Sequence, residues 1–255
     1  MQRDEFLQQL WLDYVHQHPE IGALRLWPLE QPPEYLALLT LNHGNLAAAA
    51  LLPKLGHFGY RSCERYAMAD RGLLVTLLAP PDDGPWLALG ELQLGTLTRA
   101  PRGELQALIT QAHREDCRGQ NLLCRGRPWP MPSWASYQRL QAAHPLAAWL
   151  SVMGPRLHHV GFDCDRLGTS IEQLDGELRQ VGLVGDADRH HGIFPVSPLL
   201  QYRFYATGSR RLPFAEGDEH RIPLGGLALV QKCLAGGQER AAELLLPSHT
   251  RCELA

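Results

Sequence analysis

One pattern constrains this 255-residue chain more than any single motif: strand, helix, three strands between residues 35 and 94, and the same order again between 158 and 232. In the first copy, Tyr35 to Leu41 is an apolar run short enough for a buried strand. Leu46 to Phe58, rich in alanine and leucine, predicts a helix around Pro53. Strand-like runs follow at Tyr60 to Tyr66, Gly72 to Leu78 and Trp86 to Leu94, the last after the turn Pro80-Pro81-Asp82-Asp83-Gly84. The second copy predicts a strand at His159 to Cys164 and a helix at Ser170 to Val181, then strands at Gly182 to Asp186, Leu199 to Tyr205 and Gly226 to Lys232. Gly59 and Gly182 hold matching places just past each helix, where a glycine easily accommodates a left-handed conformation. Two such modules predict an α+β chain with one curved, cup-like mixed sheet and additional helices. The concave face is then the natural ligand site. The chain reads as a single domain, 1–255, with a first cup module at 35–94, a helical insertion at 103–153 and a second cup module at 158–232.

Outside the modules, Phe6, Leu7, Leu10, Trp11, Tyr14 and Val15 recur at helical spacing and predict an amphipathic first helix that stops before Pro19. Helical patterns also cover Gly103 to Asp116 and Trp134 to Met153, whereas Pro28, Pro32 and Pro33 mark an irregular connection. A hydrophobic share of 45% supports a sizeable core. With net charge −3 and a pI near 6.4, no summed field draws the chain to nucleic acid or to an anionic membrane. No stretch is apolar for long enough to span a bilayer or serve as a secretory leader, so the cytoplasm is the expected compartment. The six cysteines contain no Cys-x-x-Cys pair, which predicts reduced, mostly buried thiols and argues against a zinc knuckle or a disulfide framework.

A set of local motifs adds a resemblance. These are Phe6-Leu7-Gln8-Gln9-Leu10-Trp11 with Asp13-Tyr14, Gly90-Glu91-Leu92, Gly126-Arg127-Pro128-Trp129, Tyr137-Gln138 with Ala147-Ala148-Trp149, His159 opening its strand, and Ile222-Pro223 before the last one. In this order and spacing, over nearly the whole chain, they resemble the 2-oxoadipate dioxygenase/decarboxylase family, in particular its short bacterial members. The resemblance implies a fold similar to the vicinal-oxygen-chelate proteins. It also implies a nonheme Fe(II) centre held by two histidines and a glutamate, and oxidative decarboxylation of 2-oxoadipate to 2-hydroxyglutarate. Three ligands on one face would leave open positions for a chelating 2-oxo acid and for oxygen.

Carried over position by position, that ligand set is incomplete. Counting back without gaps from Gly59-Tyr60 puts Tyr35 at the first histidine and Leu39 at the arginine that follows it by four residues. The second histidine falls on His159, and the glutamate falls on Ala228, four residues before Lys232. Because side chains alternate along a strand, Tyr35, Ala37 and Leu39 share one face, as do Gly226, Ala228 and Val230. The floor of the cup is therefore expected to be largely apolar, with His159, Asp163, Glu91 and Gln93 as polar exceptions. Such a floor disfavours a dication and a dicarboxylate alike.

His159 is the one inherited candidate metal ligand, with Glu91, His43 and the loop pair His190 and His191 as sources of a rebuilt set. Arg127 and Tyr35 are the candidate substrate-binding residues; Arg127 could clamp a carboxylate through its planar fork, cap a helix or bridge the modules. No phosphate-cradling glycine loop, nucleophile elbow or Ser/His/Asp triad is present. The sequence thus predicts a diverged family member that binds a small molecule, either a 2-oxo acid or a more apolar compound, or a partner, without the parent reaction. Two alternatives stand beside it: an active metal-dependent dioxygenase with rebuilt ligands, and a non-catalytic subunit pairing with an intact paralogue or a second copy.

Overall fold

The computed structural model describes residues 1–23, 32–113, 115–180, 183, 194–197 and 200–232. In chain order the elements are α1 (Arg3–Gln17), α2 (Pro19–Ala23), β1 (Tyr35–Leu41), α3 (Ala48–His57), β2 (Arg61–Met68), β3 (Leu73–Ala79) and β4 (Trp86–Leu92). Then come α4 (Arg99–Ile109), α5 (Leu122–Arg125), α6 (Trp134–Ala143), α7 (Pro145–Met153), β5 (Arg156–Asp163) and α8 (Ile171–Gln180). Last are β6 (Phe194–Ser197), β7 (Leu200–Ala206), β8 (Arg210–Pro213), β9 (Glu219–Ile222) and β10 (Gly226–Lys232).

Among the described residues, eight strands form one open mixed sheet in the order β2-β3-β4-β1-β5-β10-β7-β6. Each half is built alike: β1 pairs in parallel with β4, and β5 pairs in parallel with β10. The halves meet where β1 runs antiparallel to β5. The repeated order predicted from the apolar pattern is thus the order of the sheet, reflected about its centre, and the α+β class holds.

Local chemistry explains most boundaries. Helix α3 runs through Pro53 to His57 and is closed off, just past the Phe58 cap, by Gly59, whose φ of +88° suits glycine. Gly59 N donates to the Gly56 carbonyl at 2.9 Å and Tyr60 N to that of Leu55 at 3.2 Å, a Schellman closure. The predicted helix Trp134 to Met153 is two helices, because Pro145 cannot continue the first and instead occupies the first turn of α7. The helix expected from Gly103 begins earlier, at Arg99, with Pro101 in its first turn, where a missing N–H costs nothing. The β8–β9 hairpin was not expected, and the strand expected at Gly182 to Asp186 lies outside the described residues apart from Leu183, which is not in a strand.

On α1, Phe6, Leu10 and Tyr14 form the buried stripe, and Phe6 stacks on Phe58 at 4.6 Å between ring centroids. Each such burial stabilises the fold by about 1.5–3 kcal/mol. Among the described residues no helix is long and apolar enough to cross a membrane.

Candidate functional site

Strand register brings the sequence candidates together on one face of the sheet. Tyr35 on β1 lies opposite Gly161 on β5, which lies beside Ala228 on β10; in the next row on the same face stand Ala37, His159 and Gly226. The Tyr35 ring rests directly on Gly161, where a Cβ would come within 1.9 Å of its Cε1. From β7, the Phe204 ring covers Gly226 in the same way, at 2.2 Å from an added Cβ. Both rings meet His159 edge-on at centroid distances of 5.6 Å. Tyr35, Ala37, Tyr202, Ala228 and Val230 form a separate buried cluster with Trp86 and Phe204 against it.

The face is largely apolar, as alternation predicted, with His159 and, toward the other end of the strands, Asp163 and Lys232 as its polar members, and it is also filled around His159. The cavity left beside His159, lined by Ala37, Leu39, Val75, Ala88 and Gly90, measures about 10 Å³. A single water needs about that much, whereas small-molecule sites occupy roughly 300–1,000 Å³.

His159 is 1% exposed and shares a hydrogen bond of 2.9 Å between its Nδ1 and that of His158, one ring donating and the other accepting. A β-bulge allows this, since the register of β1 against β5 shifts between Ala37 and Leu38 and leaves His158 as the extra residue. His158 packs against Trp149, whose Nε1 donates to the Leu224 carbonyl at 2.6 Å. Burial pushes the His158 imidazole down to about 4. His18, packed on Tyr14, is pushed down to about 3 by burial first, then by the positive charges of His158, Arg156 and Arg210.

Stability should follow from these two shifts. Above about pH 6.5 both imidazoles are neutral whether the chain is folded or not; below it the unfolded chain takes up protons that the native state refuses. Folding stability is therefore expected to fall as pH drops from 6.5 toward the folded values, by about 2 kcal/mol per histidine at pH 5. Urea unfolding midpoints at pH 7.5, 6 and 5 check this; a flat profile would mean that the two rings are not buried as neutral bases.

The other proposed ligands do not converge on His159. Glu91 pairs in register with Thr40 and Leu74, on the opposite face. Its Oε1 accepts from Ala48 N at 2.7 Å and its Oε2 from Gln93 Nε2 at 2.7 Å, so it caps α3, whose own N-cap, Ala47, has no polar side chain. Glu91→Ala is expected to cost about 1–2 kcal/mol in urea unfolding through loss of this cap. Glu91→Gln, which keeps an acceptor oxygen, should recover much of that. His43 stands two residues past the end of β1, in a turn closed by its own N–H on the Leu41 carbonyl, whereas Ala37 beside His159 lies four residues before that end, roughly 13 Å at strand rise. His190 and His191 lie outside the described residues.

Arg127 also lies elsewhere. Its Nε donates to the Trp129 carbonyl at 2.8 Å and its Nη1 to the Val152 carbonyl and to Met131 Sδ, and it opens into a separate cleft. Tyr35 does reach the inner face, as the ring that fills it. The sequence reading missed Glu34, which is 2% exposed. It pairs with Lys232 and, at 3.5 Å, with Arg166, while Lys232 also reaches Asp163 at 3.8 Å. Burial, then the charge of Glu34, raises the pKa of Asp163. The only signal of this cluster in the sequence is a lone acid placed directly before an apolar strand.

Among the described residues no group of three or more His, Cys, Asp or Glu side chains could hold a metal ion. The positions around His159 carry a phenol, methyl groups and hydrogens, a set that does not fit the two-histidine, one-carboxylate pattern.

No family model and no curated protein matches the chain. Solved structures do share its fold. A Shewanella frigidimarina protein described provisionally as a hydrolase superposes with a TM-score of 0.82 at 21% identity, over 92% of this chain and 94% of that one. Hydroxyglutarate synthase from Oryza sativa, in complex with 2-oxoadipate, gives 0.80 at 20% identity, over 91% and 81%. A glyoxalase-superfamily protein of Ralstonia eutropha gives 0.64 at 16% identity, over 79% and 72%. At these identities the likeness establishes the fold alone, a vicinal-oxygen-chelate-like one.

Proposed function

We propose that this chain is a diverged relative of the hydroxyglutarate synthases, acting as a single domain, that keeps their sheet and lacks their Fe(II)-dependent oxidative decarboxylation of 2-oxo acids. One observation carries the reading: Tyr35 and Ala228 stand beside His159 where two more metal donors would be required, and the Tyr35 ring fills the space over Gly161. The shared fold with a protein crystallised with 2-oxoadipate supports descent from a small-molecule enzyme. The apolar floor supports loss of the site that held a dication and a dicarboxylate. A small apolar compound could enter the inner face only if the rings of Tyr35 and Phe204 swung aside.

The test is oxygen consumption by the purified chain with 2-oxoadipate and Fe(II), alongside an active hydroxyglutarate synthase. No uptake above the protein-free rate is expected. Substrate-dependent uptake with release of carbon dioxide would overturn the reading.

A further inference from the structure

A second cleft, of about 390 Å³, opens between the loop that follows α4 and the turn that carries Arg127. Gln111, His113, Asp116, Arg125, Arg127 and Trp129 line it. It falls within the size range of small-molecule sites, about 300–1,000 Å³. Its charges are unbalanced. Asp116 is already matched by Arg125, at 3.3 Å. Nearby, Arg156 is matched by Asp13, whose two oxygens accept from one guanidinium nitrogen at 2.6 and 2.8 Å. Arg127, half-buried, pairs with no carboxylate among the described residues; carbonyls and a thioether take its Nε and Nη1, and Nη2 is left over. Burial and the positive charge of Arg156 both work against the Arg127 cation, which an added anion would stabilise.

The turn is also held in place. A Cβ on Gly154 would lie 2.3 Å from Arg127 Cα, and one on Gly126 would lie 2.9 Å from Arg156 Nη2, so both glycines allow close approaches that fix the backbone around Arg127. With two carbonyls orienting its fork, Arg127 loses little freedom when a ligand arrives.

We propose that this cleft binds a small molecule through a terminal oxyanion, a carboxylate or a phosphate, with Arg127 Nη2 as the anchor and Arg125 and His113 at the rim. A guanidinium donor to an oxyanion forms a charge-assisted hydrogen bond, and the ligand supplies a counter-charge that the described residues do not. This site is distinct from the inner face of the sheet and stands whether or not that face once held metal.

Isothermal titration of the full chain with inorganic phosphate and with glutarate, at constant ionic strength and with sodium chloride as control, tests it. Saturable binding of one titrant and not of chloride is expected, and which one binds identifies the oxyanion. Arg127→Gln should weaken that binding at least about tenfold. Because Arg127 also holds buried carbonyls, Arg125→Glu, at an exposed position, provides a second reading should Arg127→Gln fail to fold; it should weaken binding several-fold with an unchanged circular dichroism spectrum. The proposal fails if neither titrant saturates, or if binding survives the charge substitutions in folded protein.

Discussion

The double substitution Tyr35→His with Ala228→Glu is expected to turn the filled inner face into a divalent metal site. The two positions sit on β1 and β10, on either side of β5, in one register row through Gly161, and His159 stands in the adjacent row on the same face. Imidazole in place of the phenol frees room over Gly161, and a carboxylate at 228 completes two histidines and one carboxylate around it. Without metal the new carboxylate is buried and unpaired, so the double variant should be less stable than the parent by several kcal/mol. Metal should reverse this, since an ion that binds only the folded state raises stability as RT ln(1 + [M]/Kd). The expected readout is a rise in melting temperature with Co(II) or Zn(II), with visible Co(II) absorption and an affinity at least about 100-fold above that of the parent chain. Turnover of 2-oxoadipate should not return, because Leu39 still stands where the carboxylate-binding arginine would be. A folded double variant with no gain in metal affinity would mean that these three positions are not the relics of a ligand set.

The register behind that design could be read from the chain because strands β1 and β10 are bounded sharply in sequence. The Tyr35 run follows two prolines and an acid, and Gly226 follows a second glycine after Pro223. Alternation then fixes which side chains share a face. How the face is filled could not be read that way. Phe204 and Tyr202 come from a strand paired on the far side of β10, and only coordinates show that Gly161 and Gly226 are flat beds for rings. The Glu34–Lys232 pair joins residues 198 apart in sequence, and no local pattern announces it. Glu91 was placed at the right strand but on the wrong face for a ligand, since one residue of register moves a side chain through the sheet. The β8–β9 hairpin escaped for a different reason: Arg210–Pro213 and Glu219–Ile222 carry too few apolar residues to alternate, and their pairing places Arg211 opposite Arg221.

Whether the inner face is closed by Tyr35 can be decided by a double-mutant cycle with Gly161. Tyr35→Ala removes a phenol that is 1% exposed and is expected to cost about 3–5 kcal/mol in urea unfolding, the usual price of deleting a large buried ring. Gly161→Ala in the parent places a methyl 1.9 Å from Cε1, and the ring has His159, Ala228 and Tyr202 around it, so it cannot swing away freely. Overpacking of this kind costs about 1–3 kcal/mol. In the Tyr35→Ala background the same methyl enters space the ring has vacated, and the Gly161 substitution should become neutral to within about 0.5 kcal/mol. The difference between the two backgrounds, a coupling of about 1–3 kcal/mol, measures the contact itself. Cavity and chemistry then become separable, because Tyr35→Ala leaves an apolar chamber with one imidazole on its wall, the kind of space that takes up small aromatic molecules in water. Raised stability of Tyr35→Ala in the presence of phenol, absent in the parent, would confirm that the ring is what closes this face. If Gly161→Ala were silent in the parent, the ring could not be resting on Gly161, and the inner face would have to be treated as an open site.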